Sequence, residues 1–199
     1  ILRDGSTATV RVAQAADAQA LRAFFGRLSP ESRYRRFFSV VPPDEGFVAA
    51  LCDNADPSKR LTLVVLRTVG GAPQIIATAS YLLQRDRTAE VAFAVEDPFQ
   101  GRGLGTLLLE RLALLAARCG ITRFWATTHA DNVPMIEVFR HSGFELRERR
   151  EDGSVEVDFG VQPSAASVEQ VELRDQVFTA ASLRPFFRPN AVAVIGASR

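Results

Sequence analysis

Ala89-Glu90-Val91-Ala92-Phe93-Ala94-Val95-Glu96-Asp97-Pro98-Phe99-Gln100-Gly101-Arg102-Gly103-Leu104-Gly105-Thr106 is the stretch whose reading decides the fold. Val91 to Val95 is apolar and β-compatible, and Pro98 ends any regular strand. Three glycines follow within five residues and let the backbone turn sharply and approach a ligand. From Thr106 the pattern becomes leucine-rich and helical. The order is strand, glycine loop, helix start. Free N–H groups and the helix dipole at such a junction favour an anion, so a phosphate-bearing ligand is expected at residues 100–106.

Outward from that stretch, the N-terminal side reads as strand, helices and a hairpin. Residues 7–12 alternate as a first strand. Asp17 is a candidate N-cap for a helix at 18–28 with Leu21, Phe24, Phe25 and Leu28 on one face. Ser29-Pro30 restarts the helix, which carries Arg33, Tyr34, Arg35, Arg36, Phe37 and Phe38. Asp44 caps a third, short helix running to Leu51. Residues 61–68 and 74–83 flank Gly70-Gly71 and predict an antiparallel hairpin.

On the C-terminal side, Leu107, Leu108, Leu112 and Leu115 recur at helical spacing, and Gly120 ends that helix. Arg123 to Thr128 is a strand. The strand–helix–strand order predicts a locally parallel pair. Asp131 or Asn132 opens the next helix, which Gly143 closes, and residues 144–150 and 154–161 form a last hairpin. The expected domain covers 1–162. A small-residue linker is expected at 163–190. The buried-strand pattern Ala191 to Ile195 followed by Gly196 reads as the start, at 191–199, of a truncated nucleotide-type domain.

The chain has 199 residues, 47% apolar and 24% charged, with a net charge of +1. That suits one packed domain with an appendage and gives nucleic-acid binding little support. No apolar run approaches the roughly 18–20 residues that span a bilayer, and no signal peptide is visible. The chain begins at Ile1, so further native sequence is expected upstream. Cys52 and Cys119 give no disulfide framework and no metal spacing, and a cytoplasmic location is expected.

Gln100-Gly101-Arg102-Gly103-Leu104-Gly105 between a strand and a leucine helix resembles the Gln/Arg-x-x-Gly-x-Gly/Ala loop of the GCN5-related N-acetyltransferases, the GNAT superfamily. Asn132, Phe139 and Gly143-Phe144 are similar to a second motif of that family. The resemblance covers residues 7–161. It implies an α/β fold with a central, mixed, mostly antiparallel twisted sheet, a splayed parallel pair and flanking helices. Two further stretches resemble narrower groups. Residues 28–38 look like a segment of bacterial protein-lysine acetyltransferases that regulate acyl-CoA synthetases. Residues 191–199 look like the opening of the CoA-binding domain of NDP-forming acyl-CoA synthetases.

The resemblance implies direct acetyl transfer from acetyl-CoA, without a metal, to an amine. The expected acceptor is a lysine of a protein, an AMP-forming acyl-CoA synthetase. A lysine amine has a pKa near 10.4, so a general base is needed. The family places a glutamate base at the position of Glu90. Glu96 is the rival, because on an unbroken strand the two share a face. The family takes its oxyanion donor from this strand where a β-bulge splays it, which points to Phe93, Ala94 and Val95; the pantetheine arm of the cofactor pairs there too. Gln100, Gly101, Arg102, Gly103, Leu104, Gly105 and Thr106 are expected to hold the pyrophosphate. Asn132 is expected either to contact pantetheine or only to cap its helix. Phe139 stands where the family commonly has a tyrosine general acid, and phenylalanine has no proton to give. His129 either lines the acceptor side or is a loop residue without a role. The arginines of residues 33–36 are a docking face or a solvated helix face. Two alternatives remain: a small-molecule amine N-acetyltransferase, and a non-catalytic acyl-CoA-sensing module.

Overall fold

The structure, a computed structural model, describes residues 7–161. The expected linker at 163–190 and the expected domain start at 191–199 lie outside the described residues. In chain order the elements are β1 (Thr9–Val12), α1 (Ala18–Arg27), α2 (Pro30–Phe37), α3 (Glu45–Cys52), β2 (Arg60–Val69), β3 (Ala72–Arg85), β4 (Thr88–Val95), α4 (Leu104–Arg118), β5 (Arg123–His129), α5 (Val133–Arg140), β6 (Leu146–Glu151) and β7 (Ser154–Gly160). The seven strands form one sheet in the order β1-β2-β3-β4-β5-β7-β6. Every neighbouring pair is antiparallel except β4 and β5.

That parallel pair is short. Thr88, Ala89 and Glu90 pair with Arg123, Phe124 and Trp125, and the ladder stops there. β4 continues alone on that side to Val95, while its other side stays paired with β3 to Ala77↔Val95. The sheet therefore opens between β4 and β5 from residue 91 onward. The last hairpin places β7, not β6, against β5.

Alternation along each strand divides the core between two faces. One is filled by Leu104, Leu108, Leu109 and Leu112 of α4 and by Ile136 and Phe139 of α5, against Leu63, Val65, Ala79, Val91 and Phe159. The other is filled by Leu21, Phe24 and Phe25 of α1 and Val48 and Cys52 of α3, against Val64, Ile75 and Ala94. Each such large side chain, fully buried, contributes about 1.5–3 kcal/mol. Phe37 joins the second cluster and meets Phe25 and Phe47 edge-on, which seats α2 beside the opening in the sheet.

The helix starts follow their cap residues, with one correction. The Ser29 hydroxyl accepts from Ser32 N–H at 3.1 Å, and Asp44 accepts from Phe47 N–H at 2.7 Å. Asp17 makes no side-chain cap. Its carboxylate instead takes both Arg11 guanidinium nitrogens, at 2.6 and 2.7 Å, and the Gln14 N–H at 2.7 Å. A buried carboxylate facing a guanidinium gains more from that pair than from a helix end. The Arg11 hydrogen bond is the main reason the Asp17 carboxyl sits below the usual carboxylate range. A depressed acid contributes stability above its unfolded value and loses it as pH falls through the folded one. Asp17→Asn is expected to cost about 1–2 kcal/mol at pH 7. The gap in urea midpoint between the two proteins should close as the pH drops below about 4.

Candidate active site

The opening between β4 and β5 forms part of a cleft of about 660 Å³. Its lining runs from Glu90 along β4 to the loop at 99–106, with Arg35, Arg36, Phe37 and Phe38 from the α2 side and Asn132, Val138 and Phe139 from the α5 side. The candidate base, the open strand and the glycine loop thus share one cavity.

Hydrogen-bond parity says which backbone groups face the opening. Glu96 N–H donates to Ile76 C=O at 2.9 Å, so residues 92, 94 and 96 spend their backbone groups on β3. Val91, Phe93 and Val95 point theirs the other way; Val91 still meets the end of the β5 ladder at Trp125, and Phe93 and Val95 lie beyond it, in the opening. Of the three expected donors, Phe93 and Val95 present N–H groups to the cleft, and Ala94 does not. The expected β-bulge is absent at this point, because the β3–β4 register is unbroken from Ala77↔Val95 to Leu83↔Ala89. Departure of β5 alone creates the opening.

Gln100 ties the end of β4 to α2 beside that opening. Its amide donates to Val95 C=O at 3.0 Å and to the Ser32 hydroxyl at 3.1 Å. Ser32 Oγ donates in turn to Asp97 at 2.8 Å, and Ser29 reaches Asp97 through both its N–H and its hydroxyl. Burial works to raise the Asp97 carboxyl, and the hydrogen bonds from Ser29 and Ser32 outweigh it, holding the group below its usual range. The start of α2 is thereby tied to the turn that follows β4. The sequence shows Ser29 and Ser32 only as a helix start; their partner lies 65–68 residues away.

Gly103 sits at φ +84°, the left-handed region, and α4 begins at the next residue. The helix therefore starts two residues earlier than Thr106. The first α4 hydrogen bond runs from Leu107 N–H to Gly103 C=O, so the N–H groups ahead of Leu107 have no helical acceptor. Gly105 is crowded instead by α5: a Cβ there would lie 3.1 Å from Val138 Cγ2. Arg102 folds onto its own loop, donating to Pro98 C=O at 3.0 Å and lying over the Phe99 ring.

Glu90 and Glu96 do share a face, and their surroundings separate them. Glu96 is 7% exposed and holds Arg27 of α1 at 3.0 and 3.1 Å and the Gln74 amide at 3.2 Å. It is a buried ion-pair partner that fixes α1 to the end of β4. Glu90 lines the cleft, half-buried, and takes one hydrogen bond from Gln84 at 3.2 Å.

Asn132 makes no side-chain cap; its amide donates to Thr128 Oγ at 2.8 Å, which fixes the turn from β5 into α5 at the cleft wall. Phe139 is 1% exposed and packs edge-on to Phe93. Its ring shapes the apolar wall and offers no acid. His129 lies between Tyr34 and Phe38 of the α2 segment, ring centroids 4.6 and 4.5 Å away, with its Nε2 buried and unpaired. It fastens the α2 segment to the end of β5.

Residues 23–144 match the model of the Acetyltransferase (GNAT) family. The chain is 33% identical over 153 residues to Acetyltransferase Pat of Mycolicibacterium smegmatis, covering 75% of this chain and 44% of that protein. It is 26% identical over 157 residues to Acetyltransferase PA5475 of Pseudomonas aeruginosa, covering 78% of this chain and 84% of that one. The crystal structure of the GNAT domain of S. lividans PAT superposes with a TM-score of 0.72 at 37% identity, covering 80% of this chain and 94% of that one. The chain thus spans less than half of the M. smegmatis relative and nearly all of the S. lividans domain. With the splayed β4–β5 pair, the glycine loop at a helix start and the matched sequence in agreement, this chain belongs to the GNAT acetyltransferase family.

Proposed function

We propose that the chain binds acetyl-CoA and transfers its acetyl group directly to the Nε of a protein lysine, with Glu90 as general base. One observation carries this reading: Glu90 stands where the β4–β5 ladder ends, in the cleft that continues along the open edge of β4 to the glycine loop. From Glu90 to Val95 is roughly 16 Å at about 3.3 Å per residue, so base, strand edge and phosphate loop follow one another along one line. The pyrophosphate is held by the N–H groups ahead of Leu107. The pantetheine arm pairs with the open edge through Phe93 and Val95.

In the reaction the neutral amine attacks the thioester carbonyl. The C–N bond forms, and the developing oxyanion is stabilised by a strand N–H, for which Phe93 and Val95 are the two candidates. The C–S bond then breaks, and the amine proton passes to Glu90, directly or through one water. The CoA thiolate leaves as an anion. A thiol pKa near 8.5 makes it an adequate leaving group at neutral pH, so the missing hydroxyl at Phe139 leaves the scheme complete.

The acceptor we favour is an AMP-forming acyl-CoA synthetase, a reading that rests on the resemblance of residues 28–38. The test is to incubate the chain with acetyl-CoA and purified acetyl-CoA synthetase, then map acetylated lysines by mass spectrometry. Modification of the synthetase's catalytic lysine, with loss of its activity, is the expected result. An unmodified synthetase, with acetyl-CoA still bound by this chain, would sink the choice of acceptor.

A further inference from the structure

Two arginines of α2 line the acceptor side of the cleft. Arg35 spends its charge on Glu31, 2.6 Å away. Arg36 makes no ion pair among the described residues, and its Nε is buried without an acceptor. Its guanidinium lies over the Phe37 ring at 4.8 Å, and the charge it feels is that of Glu90. A cation with a buried, unpaired Nε therefore lines the same cleft as the candidate base, near enough for the two charges to act on each other. Desolvation draws the Arg36 guanidinium down to about 10, and the Glu90 carboxylate works against that fall.

We propose that Arg36 is a positioning residue for the transfer step: its charge disfavours the ammonium form of the acceptor beside Glu90, so a larger share of the amine meets the thioester neutral. The proposal rests on Glu90 acting as the base. A lone carboxylate in a half-buried cleft would draw an ammonium into a stable ion pair. An ammonium has no lone pair to attack with, so that pair tightens substrate binding without helping the transition state. A second cation at the same place disfavours the charged amine.

The other charged groups near this face are engaged. On the cleft wall Glu137 of α5 is held by Arg140 and by His141 Nδ1 at 3.0 Å, and farther out Arg60 faces Asp53 and Arg123 holds Asp158. Gln84 reaches Glu90 from β3 with a neutral amide, and His129 is enclosed by Tyr34 and Phe38. Arg33, also on α2, does not line the cleft. Arg36 is left as the cation set against the carboxylate.

The experiment measures kcat and KM for a lysine acceptor peptide against pH in Arg36→Gln and Arg36→Lys, with thermal unfolding and acetyl-CoA affinity as controls. In Arg36→Gln, KM at pH 7 should fall several-fold and kcat about tenfold. The rise of kcat with pH should move upward by about one unit, and Arg36→Lys should restore most of it. A profile that stays in place, or a kcat and KM that worsen together, overturns the proposal. A second arm needs no variant. The wild-type chain is inhibited with the same peptide carrying trimethyl-lysine, a fixed cation, or its neutral isostere in which a carbon replaces the quaternary nitrogen. Inhibition constants within about threefold are expected, and a cation favoured by more than tenfold overturns the proposal. Glu90→Gln that still transfers acetyl would instead remove the base, an outcome that neither arm can mimic.

Discussion

Glu90→Gln should lower acetyl transfer about 10²–10⁴-fold, the range for losing a positioned general base, while acetyl-CoA affinity stays within about twofold. The amide keeps the shape of the carboxylate and can still meet the Gln84 side chain, now 3.2 Å from Glu90. It cannot take a proton. The loop proposed to hold the pyrophosphate begins beyond the far end of β4, and the hydrogen bond of Glu90 goes to Gln84 instead. Loss in kcat with little change in cofactor binding is therefore the signature. Glu96→Gln is the matched control, because it removes the other carboxylate of the same strand face. That change breaks the buried pair with Arg27, so its cost should appear in thermal stability, with transfer reduced only as folded protein is lost. If Glu96→Gln loses transfer at unchanged stability and Glu90→Gln does not, the roles are reversed. Equal activity of Glu90→Gln and wild type would leave the chain an acyl-CoA-binding module without a base.

Much of the fold is legible because its signals are local. Ser29-Pro30 and Asp44 start helices through their own next residues, and the stretch from Ala72 to Val95 pairs with its neighbours in sequence. The insertion of β7 between β5 and β6 is less visible, since a hairpin signal gives the pairing of two strands but not which of them docks on the sheet. Asp17 misleads for a related reason. Its position before a helix fits a cap, yet Arg11, six residues earlier on β1, offers it two charged donors. The sequence pattern contains the helix end and not the competitor.

The candidate site divides along the same line. Glycine loop, strand and helix start occupy eighteen consecutive residues and can be read together. The choice between Glu90 and Glu96 cannot, because strand parity puts both on one face and what separates them is Arg27, 69 residues away in sequence. The backbone donors needed the register: only pairing with β3 shows that Ala94 is spent and that Phe93 and Val95 are not. Arg36, His129 and the Ser32–Asp97–Gln100 chain came from packing of α2 over the opening. No periodicity in the sequence announces that contact.

Gly103→Val should weaken acetyl-CoA binding by about 100-fold or more, equivalent to roughly 2.7 kcal/mol. Gly103 holds φ +84° and ψ 5° immediately before α4. A left-handed conformation costs an ordinary L-residue about 1–2 kcal/mol, and a β-branched side chain more. Valine therefore drives the backbone out of that region and turns away the N–H groups proposed to hold the phosphates. Gly103→Ala should pay only the smaller conformational cost and lose about tenfold. Calorimetric titration with CoA measures both. Acetyl-pantetheine supplies the decisive comparison, because it carries the thioester and the arm but no pyrophosphate. Its transfer kinetics should be nearly the same in wild type and Gly103→Val, since Glu90 and the open edge of β4 do not involve residue 103. A valine variant that loses acetyl-CoA and acetyl-pantetheine alike would show that the loop supports the whole cleft rather than the phosphates. A variant that keeps acetyl-CoA affinity would move the pyrophosphate away from the start of α4 altogether.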